Sequence, residues 1–305
     1  MKAAFVLAAA TLGQIALAAP PFSGPALVGR LTAENLKEAS GLAVSRRDAN
    51  FLWAVNDSGN KPILYLMGTD GSHRGQAEVD GHNNRDWEDL ASFSIHGRPY
   101  LLIADTGDNL AFHNTCTLVI VEEPPPPTGN SELRVVLPVQ WSIRFKYEDG
   151  SRDCEAVGVD AKAGKVLLVT KREPVPRLYE LPLKPESTAI LVARYLGPVA
   201  VAANRRNAVD SRNPATFSNQ PTAMDIATDG SMAVLATYRS TMVYPRRPGQ
   251  TWSEAFQQIP ALLNPHGLGG CEDVALSPDG TRIYVTSEGV GSPIKRYDRI
   301  SGTGN

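Results

Sequence analysis

Cysteine is scarce: Cys116, Cys154 and Cys271 are the three in 305 residues, and no two form a C-x-x-C pair. Three permit at most one internal disulfide and leave a thiol over, and thiolate zinc sites lack their usual spacing. The five histidines show no i, i+4 ligand spacing, which argues against zinc. Charge of one sign is also missing. Thirty basic residues against 32 acidic ones give a net charge of −2, so no electrostatic case exists for nucleic acid as a partner. Beyond the N-terminus no apolar run is long enough to span a bilayer, and the mature chain is expected to carry no integral membrane span. No G-x-S-x-G elbow, P-loop or dinucleotide fingerprint occurs. What the chain does have is glycine (26) and proline (23) spread along its length. That composition suits many short strands joined by turns and argues against a helical bundle.

The first residues have the form of a secretory signal. Lys2 supplies the positive region, Ala3 to Leu12 the apolar stretch and Ala16-Leu17-Ala18 a small-residue cleavage site. The expected organisation is a signal peptide over 1–18 and one domain over 19–305, secreted or periplasmic.

Aligning the chain with itself exposes a repeat. Five segments align: EASGLAV from Glu38, DWEDLAS from Asp86, DCEAVGV from Asp153, TAMDIAT from Thr222 and GCEDVAL from Gly270. Their third column reads Ser40, Glu88, Glu155, Met224, Glu272, and their fourth Gly41, Asp89, Ala156, Asp225, Asp273. A second apolar run follows each: FLWAVND, YLLIADT, KVLLVTK, MAVLATY and RIYVTSE. Turn residues such as His96-Gly97, Asp229-Gly230 and Asp279-Gly280 separate the two runs, a hairpin signal. Third and fourth runs complete four-stranded meanders whose basic period is about 48 residues, and radial repetition of such meanders is a β-propeller. Five blades are expected, with six as the alternative. Insertions are expected near 122–147 and 199–220, and the N-terminal stretch ALVGRLT (26–32) is expected to close the ring as the last blade's outer strand. Thr251 to Leu263 reads as a short helix or an outer strand.

Antiparallel neighbours bring the starts of the first runs and the ends of the second to one rim. The carboxylates gathered there are Asp57, Glu88, Asp89, Asp105, Asp108, Glu155, Asp225, Glu272, Asp273 and Glu288. The bases are Lys171, Arg172 and Arg239, and Asn56, Asn60 and Asn109 add amide oxygens. So many carboxylates require compensation, and calcium accepts six to eight oxygens of this kind. Asp57, Asp89, Asp105, Asp108, Asp225, Asp273 and Glu288 are therefore expected as metal ligands. Glu88, Glu155 and Glu272 are expected as catalytic groups, and Lys171, Arg172 and Arg239 as the binders of an anionic substrate. A plainer reading stands beside this one: Glu88, Glu155 and Glu272 hydrogen-bond backbone N–H groups of the next blade.

The units Glu38-Ala-Ser-Gly-Leu-Ala…Asp57 and Cys271-Glu-Asp-Val-Ala-Leu-Ser-Pro-Asp-Gly…Glu288 resemble those of secreted bacterial propellers. The nearest families are the phytase-like ("esterase-like activity of phytase") and SdiA-regulated propellers. Their Asp-x-Glu-Gly-type blade start matches Asp86/Glu88, Asp153/Glu155 and Glu272, with Asp57, Asp105 and Glu288 as strand-end acids. The chain departs from them in carrying Asp or Ala after the Glu. The resemblance implies a calcium-assisted hydrolase of phosphoesters or related esters. The alternative is a non-enzymatic propeller that binds a ligand or an unidentified protein, with a structural metal.

Overall fold

The computed structural model describes residues 21–202 and 219–300. The expected signal peptide and most of the 199–220 insertion lie outside these residues.

The chain is all-β, built from successive antiparallel meanders. After a first strand β1 (Ala26–Arg30), the meander β2 (Ala39–Val44), β3 (Phe51–Asn56), β4 (Ile63–Gly68) and β5 (His73–Asp80) forms. Next come β6 (Trp87–Ile95), β7 (Arg98–Asp105), β8 (Cys116–Glu122) and β9 (Leu133–Tyr147). A third meander contains β10 (Cys154–Asp160), β11 (Lys165–Thr170), β12 (Arg177–Pro182) and β13 (Leu191–Pro198). The fourth contains β14 (Pro221–Ile226), β15 (Met232–Thr237), β16 (Ser240–Pro245) and β17 (Ala261–Leu262). The last is β18 (Cys271–Leu276), β19 (Arg282–Ser287) and β20 (Pro293–Asp298), and β1 pairs antiparallel with β20. The 251–263 stretch holds both expected forms, since the helix α1 (Trp252–Phe256) precedes β17. Thr251 and Glu254 form a reciprocal capping box at its start.

The first strands are buried along nearly their whole length, as their unbroken apolar runs require. They pack in sequence, β2 on β6, β6 on β10, β10 on β14, β14 on β18 and β18 on β2. The apolar clusters lie between meanders. Trp53 and Leu66 of the first meet Trp87 and Ile103 of the second, and Phe93 and Leu118 of the second meet Val157 and Leu168 of the third. Leu167 meets Met224 and Tyr244, Val234 meets Val274, and Ala275 and Tyr284 meet Leu42 and Leu52. This all-β arrangement of packed sheets is consistent with a β-propeller.

The stretch near 122–147 contains more than an insertion. Its strand β9 runs parallel to β5 over Leu133–Pro138, antiparallel to β8 over Val139–Phe145 and parallel to β13 over Phe145–Tyr147. One 15-residue strand thus laces three meanders along their outer edges. All three cysteines are free and buried.

Candidate functional site

Each first strand enters its meander the same way. The ladder pairs Ala39↔Asn56, Trp87↔Asp105, Cys154↔Thr170, Pro221↔Thr237 and Cys271↔Ser287 are each followed at once by a one-residue register shift. A bulge of this kind re-aims one side chain out of the ladder. The bulged positions are Ser40, Glu88, Glu155, Thr222 and Glu272. The fourth copy is therefore set two residues too late in the sequence alignment: Thr222, not Met224, stands where the other copies carry Glu. By the same ladder, the residues that follow the second strands are Asp57, Thr106, Lys171, Tyr238 and Glu288.

The bulge separates the two acidic columns by role. Asp89 is fully buried and accepts the N–H groups of Leu90 (2.8 Å), Val157 (2.7 Å) and Met224 (3.0 Å), so one carboxylate ties three meanders. Asp225 accepts from Ile226 (2.7 Å) and Leu276 (2.8 Å), and Asp273 accepts from Gly41 (2.6 Å). Burial pushes Asp225 up to about 6 and Asp273 up to about 7. These three were expected as metal ligands, but each commits an oxygen to the seams between sheets, and Asp273 Oδ2 is buried with no hydrogen-bond partner among the described residues. The backbone-locking reading proposed for Glu88, Glu155 and Glu272 thus describes the neighbouring column instead. Where the bulge offers a hydroxyl, it ties to the next sheet in a similar way: Ser40 Oγ donates to Glu88 O (3.2 Å) and Thr222 Oγ1 to Cys271 O (2.9 Å).

Other expected ligands are also committed to their own loops. Asp108 accepts the N–H groups of Phe112 and His113 (2.8 Å each). Asp105 is held by His82 Nε2 (3.0 Å), Arg85 Nε (3.4 Å) and the N–H of Asp86 (3.0 Å). Asn56 accepts from the N–H groups of Lys37 and Glu38 (3.0 Å each), and Asn60 reaches Glu38 Oε2 (2.9 Å). Arg239 is exposed in the turn between β15 and β16 and meets no acid of the cluster. Glu288 stands at the cluster's exposed edge, with its charge acting on Glu272.

What comes together is a compact acidic centre. Asp57, Asp86 and Glu88 each present an oxygen within 4.8 Å of the others, and Glu88, Asp153 and Glu155 form a second such triad that shares Glu88. Room for the first triad is made by Gly107, where a Cβ would fall 2.2 Å from Glu88 Oε1 and 2.3 Å from Asp86 Oδ2. The second triad is partly neutralised, because Lys171 Nζ pairs with Glu155 and Arg172 Nε with Asp153. Among the described residues no basic side chain pairs with Asp57, Asp86 or Glu88. Burial and the neighbouring carboxylates Glu155, Asp57 and Asp86 hold Glu88 well above the ordinary carboxylate range. Burial, with Asp57 and Asp153, pushes Asp86 up to about 6. The donor set is all carboxylate oxygen, which fits a hard divalent cation and offers nothing to a soft one.

Beside it lies a basic pair. Burial pulls the Lys171 ammonium down, but Glu155 and Glu272 more than offset this and leave its pKa raised. Its Nζ is 2.8 Å from Tyr238 Oη and 4.7 Å from that ring's centroid. Arg172 bridges to Asn109 Oδ1 and lies 3.8 Å from Glu155 Oε1. Glu272 faces the pair. Burial, against the pull of Lys171, pushes its carboxyl up to about 9. Asp86 and Asp153 entered the sequence reading only as motif positions, and Tyr238 not at all. The ladder register that gives Tyr238 and Lys171 equivalent positions in neighbouring meanders is the missing signal.

Fold and site thus define an all-β protein of packed meanders with an acidic, all-oxygen centre flanked by a basic pair. No family model and no curated protein matches the chain. Solved structures similar to it include the following three. A candidate 6-phosphogluconolactonase from Bacteroides uniformis is 14% identical, with 87% of this chain and 69% of that one covered at a TM-score of 0.40. Raptor from Chaetomium thermophilum is 10% identical, with 94% and 29% covered and a score of 0.44. A luciferin-regenerating enzyme is 12% identical, with 90% and 95% covered and a score of 0.46. At these scores the likenesses carry no argument about activity, and the resemblance to phytase-like and SdiA-regulated propellers rests on the quoted motifs.

Proposed function

We propose that the protein is a secreted, five-bladed β-propeller that binds a divalent cation, calcium by the chemistry of its donors, and hydrolyses an anionic ester or phosphoester beside it. Five blades are supported by the cyclic packing of β2, β6, β10, β14 and β18 and by the pairing of β1 with β20. Secretion is supported by the signal-like residues 1–18. The observation that carries the functional reading is the first triad: three converging carboxylates, one of them buried, without a basic partner among the described residues.

Asp57, Asp86 and Glu88 would hold the cation. When bound, calcium supplies a Lewis acid that polarises the substrate and makes a water molecule more acidic. Lys171, charged at neutral pH and fixed by Glu155 and Tyr238, binds the substrate's anionic oxygens together with Arg172. Glu272 keeps its proton at neutral pH and donates it to the departing oxygen.

The test is an assay on phosphoesters, carboxylic esters and lactones with calcium and with EDTA, combined with calorimetric calcium titration. Calcium-dependent turnover is expected, with a loss of about 100-fold in Glu88→Gln and a matching loss of calcium affinity. Absence of metal-dependent turnover on every substrate defeats the hydrolase. A calcium-induced rise in melting temperature without turnover favours the binding propeller with a structural metal.

A further inference from the structure

The loop between β7 and β8, residues 106–115, is built more firmly than its exposure would suggest. Thr106 Oγ1 anchors its base to Cys154 O (2.7 Å). The Asp108 N–H donates to Asp153 Oδ1 (2.9 Å), a member of the second triad. The Asp108 carboxylate, itself buried, folds the loop back by accepting the N–H groups of Phe112 and His113, while the Ala111 N–H donates to Asp108 O (2.8 Å). Ala111 is held at φ 53°, a left-handed conformation that favours glycine. Asn109 joins the same loop to Arg172 of the basic pair.

This framework displays apolar side chains. Leu110 is 71% exposed and Phe112 75% exposed, and Val175, three residues beyond Arg172 in the β11–β12 loop, is 53% exposed. Scattered exposed leucines are ordinary. A leucine and a phenylalanine on a loop fastened to the β10 backbone, to Asp153 and to Arg172 are less so, because the restraint prevents them from turning inward.

We propose that Leu110 and Phe112, with Val175, form an apolar subsite that receives the alkyl chain of an amphiphilic anionic ester whose charged head lies at Lys171 and Arg172. The inference rests on the anionic-ester reading of the centre and adds the character of the substrate's other half. Three exposed apolar side chains are far fewer than the roughly 20–30 residues a side of a stable protein interface. An alkyl chain, by contrast, gains from each methylene it shields from water. Lys171 and Arg172 precede Val175 by four and three residues in the β11–β12 loop, and Arg172 meets Asn109, the neighbour of Leu110, so the basic pair supplies the charge complement for its head.

The experiment is equilibrium binding of methyl phosphate and of octyl phosphate, below its micelle concentration, to the calcium-supplied full chain. Wild type is expected to bind octyl phosphate at least about tenfold more tightly than methyl phosphate. In Leu110→Ser/Phe112→Ser that preference is expected to fall to about twofold or less, with methyl phosphate affinity unchanged. Neither residue contributes to the carboxylate triads, and circular dichroism checks that the variant is folded. Equal affinities in wild type, a preference that survives the double substitution, or binding of neither compound overturns the subsite. Turnover on the ester panel is read separately. A chain-length preference without turnover leaves the subsite standing and removes the hydrolase, whereas turnover without a chain-length preference does the reverse.

Discussion

At the scale of single residues, Glu88 and Asp89 are neighbours in the chain with opposite fates. Both columns of acids are visible in the repeat. Which of them turns into the seam and which into the open centre depends on a bulge, and a bulge exists only once two strands are paired. Asp57, Glu88 and Glu155 were therefore legible as members of the centre, while Asp86, Asp153 and the division of labour among the acids were not. His266, between β17 and β18, is 1% exposed. Its Nδ1 accepts the N–H of Leu268 (3.0 Å), and its Nε2 has no partner among the described residues. Burial, reinforced by Lys295, lowers its pKa to about 4. Between about pH 6.5 and 4 the unfolded chain takes up a proton that the folded chain refuses. The sign is therefore that stability is lost as pH falls through this window, by about 3 kcal/mol for this one group. Urea unfolding of wild type and His266→Asn across the window is expected to show a steeper acid loss in wild type. Parallel curves would show that the imidazole titrates normally in the fold.

At the scale of elements, the strands themselves were the most legible feature. First runs buried on both faces and turns such as His96-Gly97, with both residues at positive φ, follow from pattern. The fourth copy was misaligned by two residues for a physical reason. Side chains alternate with period two, so a slip of two keeps the same face. Asp225 then does, one pleat further along, what Asp89 does: it accepts its neighbour's N–H and one from the next sheet. The seam formed by Asp89 predicts an outcome. Asp89→Ala leaves three buried N–H groups, of Leu90, Val157 and Met224, without an acceptor, and is expected to cost about 3 kcal/mol or more in denaturant unfolding. Asp89→Asn, which keeps the shape and one acceptor oxygen, is expected to cost less. A loss below about 1 kcal/mol in the alanine variant would mean that the seam is held by apolar packing alone.

At the scale of the whole molecule, the chain begins its described part by joining its two ends. β1 pairs with β20, and the residues just after β1 reach both the last meander and the first. The Leu31 N–H donates to Ser292 O (2.9 Å), and the Thr32 N–H to Gly71 O (3.0 Å). The repeat count made such a clasp foreseeable, because the last copy has one strand too few. The tightness of the contact was not foreseeable, since it arises between segments about 40 residues apart in sequence that only the tertiary fold brings together. A Cβ at Gly29 would lie 1.7 Å from the Asp70 carbonyl oxygen, in the turn between β4 and β5. Backbone on both sides leaves no flexible side chain to yield. Gly29→Val is therefore expected to push β1 away from the β4–β5 turn, loosen its pairing with β20 and expose a sheet edge. Leu27, 58% exposed in the same strand, serves as the control, and Leu27→Ser is expected to change little. In thermal melts the valine variant is expected to fall by about 5 °C or more, since roughly 2–4 °C accompanies each kcal/mol in a domain of this size. Faster exchange of the β20 amides is the structural counterpart. If both variants melt with wild type and the β20 amides stay protected, the ends of the chain are paired without bearing on stability, and the meanders hold together through their seams.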